Sequence, residues 1–253
     1  MIISHKYRYV FIEVPHTAST AISRELRSQY DGTTILRKHA TYSQFLEIAS
    51  EDEKQYFVFA GVRNPLDVAL TKYVRYKTNH NQIYTTPRQL VEHGGSVSWY
   101  DLIAFRFTQR TNSDFVAYFR IFHRLPYSDA VSRDARKHAQ FIVRFEHLQE
   151  DFAEVLRRIG IEQKRPLPQV NRTKAKEADF LSCYSPAITK QATQIFGPYM
   201  EEWGYQIPPE WGTAPVSPLS RLNYQVINAL RDFYWQRVKW SPRFYGRLSR
   251  LVK

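Results

Sequence analysis

Tyr9-Val-Phe-Ile-Glu-Val-Pro-His-Thr-Ala-Ser-Thr-Ala-Ile-Ser-Arg-Glu-Leu26 is the stretch that decides the fold. It opens on β-branched and aromatic residues, passes through small and hydroxyl residues, and ends with Ile22 and Leu26 four apart, the spacing of a helix face. The order predicts a buried strand over residues 8–14, a tight loop, and a helix from Thr20 to about Tyr30. Such a turn gathers backbone N–H groups and the hydroxyls of Thr17, Ser19 and Thr20 at a helix N-terminus, where an anion is favoured. The loop has neither glycine nor lysine, so it is not a GxxxxGK(S/T) loop, and its phosphate is not expected to be the γ-phosphate of ATP.

Working outward, Tyr56-Phe-Val-Phe-Ala-Gly-Val62 is a continuous apolar run, the pattern of a strand covered on both faces. Pro65 suits the first turn of a helix that continues to about Lys77. Thr33–Leu36 is a short β-prone run, and Thr41–Ser50 reads as a helix capped by Thr41 or Ser43. Residues 78–98 read as a loop, 99–108 and 113–123 as helices, and 141–145 as another strand. Leu148–Ile159 is an amphipathic helix stopped by Gly160, and Pro186–Trp203 is a helix with a break expected at Gly197-Pro198. Strands alternating with helices predict an α/β fold: a P-loop-like, mostly parallel central sheet flanked by helices, with ligands at the strand carboxyl ends. Pro208, Pro209, Pro215 and Pro218 read as a stiff linker. The chain is accordingly divided into an α/β domain over 1–212 and a linker with a basic, aromatic, helical tail over 213–253.

The chain has 253 residues, 43% hydrophobic and 15% aromatic, which excludes wholesale disorder and supplies a sizeable core. Its one cysteine, Cys183, permits no internal disulfide and no thiolate metal cluster, and reads as a small apolar residue. No HExxH or comparable spacing appears among the histidines, so no metal site is predicted. No stretch approaches the ~18–20 apolar residues of a spanning helix, and no signal segment is recognisable, which predicts a cytoplasmic protein, soluble or peripheral to a membrane. The net charge of +12 suits an anionic partner.

Chemistry concentrates in a second segment, Phe57-Val-Phe-Ala-Gly-Val-Arg63-Asn-Pro-Leu-Asp-Val-Ala-Leu-Thr71. Arg63 leaves a strand at its C-terminal end, and Thr71 follows eight residues later, about two helical turns on. A guanidinium fork and a hydroxyl can converge on one phosphate. The bland alternative for Arg63 is a strand-end ion pair with a carboxylate such as Asp67.

Val14-Pro-His-Thr-Ala-Ser-Thr20 resembles the 5′-phosphosulfate loop of the carbohydrate sulfotransferases, and Val62-Arg-Asn-Pro-Leu-Asp-Val-Ala-Leu-Thr71 resembles their 3′-phosphate motif. Arg144-Phe-Glu-His-Leu-Gln-Glu-Asp-Phe152, Val170-Asn-Arg172 and Glu202-Trp-Gly-Tyr205 continue the likeness in order over about residues 8–205. Either loop alone is a weak signal, whereas the ordered pair is specific. The resemblance implies a sulfotransferase that uses 3′-phosphoadenosine 5′-phosphosulfate, becoming 3′-phosphoadenosine 5′-phosphate, and sulfates a hydroxyl of a carbohydrate or glycolipid. It implies that Pro15, His16, Thr17, Ala18, Ser19 and Thr20 hold the 5′-phosphosulfate and that Arg63 and Thr71 hold the 3′-phosphate. Asn171 and Arg172 would help close the site, or else serve only as a helix cap.

Two histidines are candidates for the mechanism that the resemblance implies. His39, about twenty-four residues before Arg63, matches the catalytic base of the uronyl 2-O-sulfotransferases, which this region resembles. The alternative is a histidine with a structural role. His16 stands where the family usually has lysine. Either it acts as a titrating electrophile or acid, or another cation such as Lys38 or Arg24 compensates, or the enzyme is impaired. The first of these predicts activity that falls steeply at alkaline pH.

From Arg221 to Lys253 there are eight basic residues and one acidic, so the tail carries seven of the twelve net positive charges. Its helix-like part sets Val226, Leu230, Phe233 and Tyr234 on one side. Aromatics interleaved with arginines suit an anionic membrane surface, while a helix packed on the domain with a solvated basic face explains them as well. Nucleic acid is disfavoured because no recognised module accompanies the pattern. Two further functions stand beside sulfonate transfer: a catalytically weakened protein that binds an acidic glycan, lipid or partner, and a nucleotide kinase.

Overall fold

A computed structural model describes residues 1–86, 97–168 and 179–233. They form two compact units. The first draws on residues 1–63, 128–168 and 225–233, and the second on 64–127 and 179–224.

The first unit holds a five-stranded sheet of β1 (Ile2–Ser4), β2 (Tyr9–Ile12), β3 (Thr33–Thr34), β4 (Phe57–Val62) and β5 (Phe141–Arg144), in the order β3-β1-β2-β4-β5. The inner pairs β2–β4 and β4–β5 are parallel. The β1–β2 and β1–β3 pairs are antiparallel and make one edge. Sequence reading did not foresee β1, because three residues leave no periodicity to detect.

Alternation along the strands explains the continuous apolar runs. Val10, Ile12, Val58 and Ala60 face one layer, where Tyr42 and Phe45 of α2 (Tyr42–Leu46) meet Val131 and Ala135. Tyr9, Phe11 and Phe59 face the other, packed on Ile22 and Leu26 of α1 (Ser19–Gln29) and on Phe152, Val155 and Leu156. With both faces covered, neither needs polar residues.

The second unit is helical: α3 (Pro65–Lys77), α4 (Trp99–Thr111), α5 (Phe115–Phe122) and a long helix over Pro186–Trp203 share one aromatic-rich core. Asn64 caps α3 by accepting from the Leu66 N–H at 3.0 Å, and Pro65 occupies the first turn, so these two motif residues set the helix start. The long helix is α8; α6 (Ala130–His138) and α7 (Leu148–Arg158) belong to the first unit, and α9 (Pro218–Phe233) has residues in each.

Three local readings are corrected. Helix α2 stops at Leu46 rather than near Ser50. Helix α6 lies in a polar stretch that was given no element; Asp129 caps it by accepting from the Ser132 N–H at 2.7 Å, a tertiary placement that propensity alone did not announce. Helix α8 runs unbroken through Gly197-Pro198. A Cβ at Gly197 would overlap the Val216 side chain, so the glycine is there for close packing, and the buried surroundings hold the helix despite the bond that Pro198 cannot donate.

Candidate active site

The strand–loop–helix is built by short-range constraints at the carboxyl end of β2. The Thr17 hydroxyl donates to the Val14 carbonyl at 2.9 Å and is buried, so this side chain closes the loop while its backbone remains part of the cradle. His16 and Ala18 both adopt left-handed backbone conformations, with φ of 65° and 59°. Such conformations cost a non-glycine residue about 1–3 kcal/mol and persist where the surroundings impose them. Alternating handedness turns successive N–H groups into a concavity of the kind that binds anions. Ala18 is the N-cap of α1 and has no side chain able to cap it, while its carbonyl accepts from Ala21 at 2.9 Å and Ile22 at 3.2 Å. The positive end of α1 is thus left to the loop.

Gly61 in β4 lets the loop come this close. A Cβ there would meet Thr17 Oγ1 at 2.5 Å and Thr17 Cβ at 2.7 Å. Gly61→Ala should therefore displace the loop and cost about 1–3 kcal/mol, the usual range for overpacking. A thermal melt checks it: an unchanged midpoint would mean that Thr17 can move aside freely.

Arg63, just beyond β4, is buried and donates from Nη1 to the His16 carbonyl at 3.1 Å. Its guanidinium lies 3.8 Å from the centre of the Phe145 ring. Phe145 follows β5, so three neighbouring parallel strands send the loop, the arginine and its aromatic support to the same end of the sheet. In the same motif Asp151 accepts from the Arg144 N–H at 2.6 Å and Phe152 is core, which gives the segment its structural part.

His39 reaches the site from the β3–α2 connection. Its Nδ1 lies 2.6 Å from the Glu13 carbonyl oxygen, an acceptor, so Nδ1 carries the proton and Nε2 is the basic nitrogen. Burial pushes its pKa below the ordinary value, with the Lys38 charge acting in the same direction and the Glu13 carbonyl opposing. His39 also has a left-handed backbone, so three of the nine such non-glycine residues described lie at this site. The connection is pinned beyond it: Thr41 and Gln44 form a capping box on α2, and Asp134 of α6 accepts from the N–H groups of Tyr42 and Ser43 and from the Ser43 hydroxyl.

Glu13 ties these pieces together. Its carboxylate accepts from the Ser23 hydroxyl at 2.6 Å and the Met1 amino group at 2.7 Å, while its carbonyl holds His39. Burial opposes its ionisation, yet the Met1 ammonium, Ser23 and Lys38 together hold its pKa below the ordinary carboxylate value. Lys38 donates from Nζ to the Thr20 hydroxyl at 2.8 Å. Glu13, Gly61 and Phe145 were not singled out in the sequence; a buried acid ending an apolar strand was the one available signal.

Residues 15–20, Arg63 and His39 thus share the first unit. Thr71 is buried on α3 of the second, and Asn171 and Arg172 lie outside the described residues. No cluster of His, Cys, Asp or Glu among the described residues is placed to hold a metal ion, and no described helix is long and apolar enough to cross a membrane.

The carboxyl ends of parallel strands β2, β4 and β5 thus bring together the Pro15–Thr20 loop, the buried Arg63 and Phe145, with His39 held on the Glu13 carbonyl. A sequence model of the sulfotransferase family matches residues 1–205, and the chain belongs to that family. It is therefore an enzyme of sulfonate transfer with an acceptor substrate. No curated protein and no solved structure matches the chain.

Proposed function

We propose that the enzyme transfers sulfonate from 3′-phosphoadenosine 5′-phosphosulfate to a hydroxyl of a carbohydrate or glycolipid. The observation that carries this reading is the uncapped, left-handed loop at Pro15–Thr20 bonded to Arg63, whose donors suit a phosphosulfate. The residues present fit the donor: backbone N–H groups, the hydroxyls of Ser19 and Thr20, and a guanidinium at the strand end. Thr71, Asn171 and Arg172 enter through the family resemblance alone.

In this reading His39 Nε2 takes the proton of the acceptor hydroxyl. The acceptor oxygen forms a bond to sulfur as the bond from sulfur to the 5′-phosphate oxygen breaks. The electron pair stays on that oxygen, where the loop donors and His16 would stabilise it. Calorimetry with 3′-phosphoadenosine 5′-phosphate tests the donor site, and no binding would sink the reading. A screen of sugar acceptors with labelled donor tests the second substrate, and an acceptor that is not a sugar hydroxyl would overturn that half.

The C-terminal helix supports a peripheral membrane location. Helix α9 turns polar groups inward: Ser220 bonds Gln194 at 2.8 Å, Tyr224 bonds Glu202, and Asn228 and Asp232 accept from Arg133. Leu219, Leu222, Val226, Leu230 and Phe233, spaced as one helix face, are each more than half exposed. The remaining sequence, residues 234–253, lies outside the described residues and contains six basic residues and no acidic one. An apolar stripe continued by cations suits an anionic bilayer, each cation adding about 1 kcal/mol near its surface. Like charge on two copies argues against self-association through this face. The full chain should float with phosphatidylglycerol vesicles but not with phosphatidylcholine vesicles, and Leu222→Gln with Val226→Gln should abolish it. Dimerisation lost in the same variant, without vesicle binding, would reject the membrane.

A further inference from the structure

The loop Pro15–Thr20 contains no lysine or arginine, although sulfonate transfer leaves new negative charge on a phosphate oxygen. His16 sits in the left-handed region, with its carbonyl held by Arg63. The missing charge has a source elsewhere in the fold. Lys38, eighteen residues beyond Thr20, sends its ammonium to the Thr20 hydroxyl at 2.8 Å, in the first turn of α1.

That position is electrostatically unfavourable in isolation. A helix N-terminus carries about half a positive charge, and cations belong at the opposite end. The ammonium feels the buried Glu13 carboxylate, and an anion bound at the start of α1 would be shared between that ammonium and the N–H groups. Lys38 is also exposed, so its placement is not imposed by burial.

We propose that Lys38 supplies the fixed positive charge that the loop lacks, neutralising the 5′-phosphate oxygen that leaves as sulfonate moves to the acceptor. This rests on the reading of the loop as the donor site. His16 also provides the left-handed bend that offers its carbonyl to Arg63. Lys38 and His39 are adjacent, so one short connection delivers both the cation for the leaving group and the base for the acceptor. The charge of Lys38 also opposes protonation of His39, which favours the form able to accept a proton.

The test uses hydrolysis of labelled 3′-phosphoadenosine 5′-phosphosulfate, which has the same leaving group and needs no acceptor, together with calorimetry of 3′-phosphoadenosine 5′-phosphate. Lys38→Ala should slow hydrolysis by about 10²–10³-fold, the usual effect of removing one preorganised donor from developing charge. Adding His16→Lys to Lys38→Ala should restore at least tenfold of that loss, because the charge returns from the loop side. Hydrolysis by Lys38→Ala within threefold of the unaltered protein overturns the proposal. A loss that His16→Lys leaves unrepaired also overturns it, and assigns Lys38 the structural task of holding Thr20. If the unaltered protein itself binds no 3′-phosphoadenosine 5′-phosphate, the donor reading fails first, an outcome distinct from failure of Lys38 alone.

Discussion

His39→Ala should lower sulfonate transfer to an identified acceptor by about 10²–10⁴-fold, the range for loss of a positioned general base. The substitution should leave 3′-phosphoadenosine 5′-phosphate binding nearly intact, since the imidazole is assigned to the acceptor side. The pH profile supplies an independent check. A base must be neutral to act, and burial holds the His39 pKa below 6.5. Activity should therefore be maintained as pH falls to 6.5 and be lost only below it, as the imidazole finally protonates. His39→Ala should remove that acid limb from the residual rate. An acid limb that persists unchanged in the variant would assign it to another group and return His39 to a structural role on the Glu13 carbonyl.

Arg63→Ala carries the second large effect, on binding. The guanidinium shapes the cradle through the His16 carbonyl and lies over Phe145, and charge-assisted hydrogen bonds of this kind are each worth about 1.5–3 kcal/mol. Affinity for 3′-phosphoadenosine 5′-phosphate should fall by about 10- to 150-fold for each such bond lost. Arg63→Lys should be intermediate, because lysine keeps the charge but neither the planar fork nor the stacking. Calorimetry reads both variants. Unchanged affinity in Arg63→Ala would exclude Arg63 from the donor site and leave it as a brace for the loop.

Different parts of the site left different traces in the sequence. The loop was readable because a strand, a cluster of small hydroxyl residues and a helix follow one another without a gap. Arg63 was readable because it ends an apolar run and precedes Asn-Pro, which starts α3. His39 came from a short likeness, and its hydrogen bond to Glu13 could not be foreseen, because the two lie on separate elements 26 residues apart. Lys38 was one of two cations named for the same task, and its hydrogen bond to Thr20, eighteen residues away in the chain, could not be read from the sequence. The task of the Thr17 hydroxyl was similarly hidden, since a threonine in a phosphate loop reads as a ligand whether or not it bonds a neighbouring carbonyl.

The sequence by itself determined the alternation of strands and helices, the position of the loop between β2 and α1, and the sulfotransferase character of residues 1–205. These are properties of contiguous segments, in which periodicity, helix-start residues and ordered motifs are visible along the chain. Only the tertiary structure decided the antiparallel edge made by Ile2–Ser4, the unbroken helix through Pro198, and the outward turn of the apolar face of α9. Each depends on what a segment packs against, and packing can override both a helix breaker and an amphipathic pattern. The same reason hid the hydrogen bond from Lys38 to Thr20 until the fold was known.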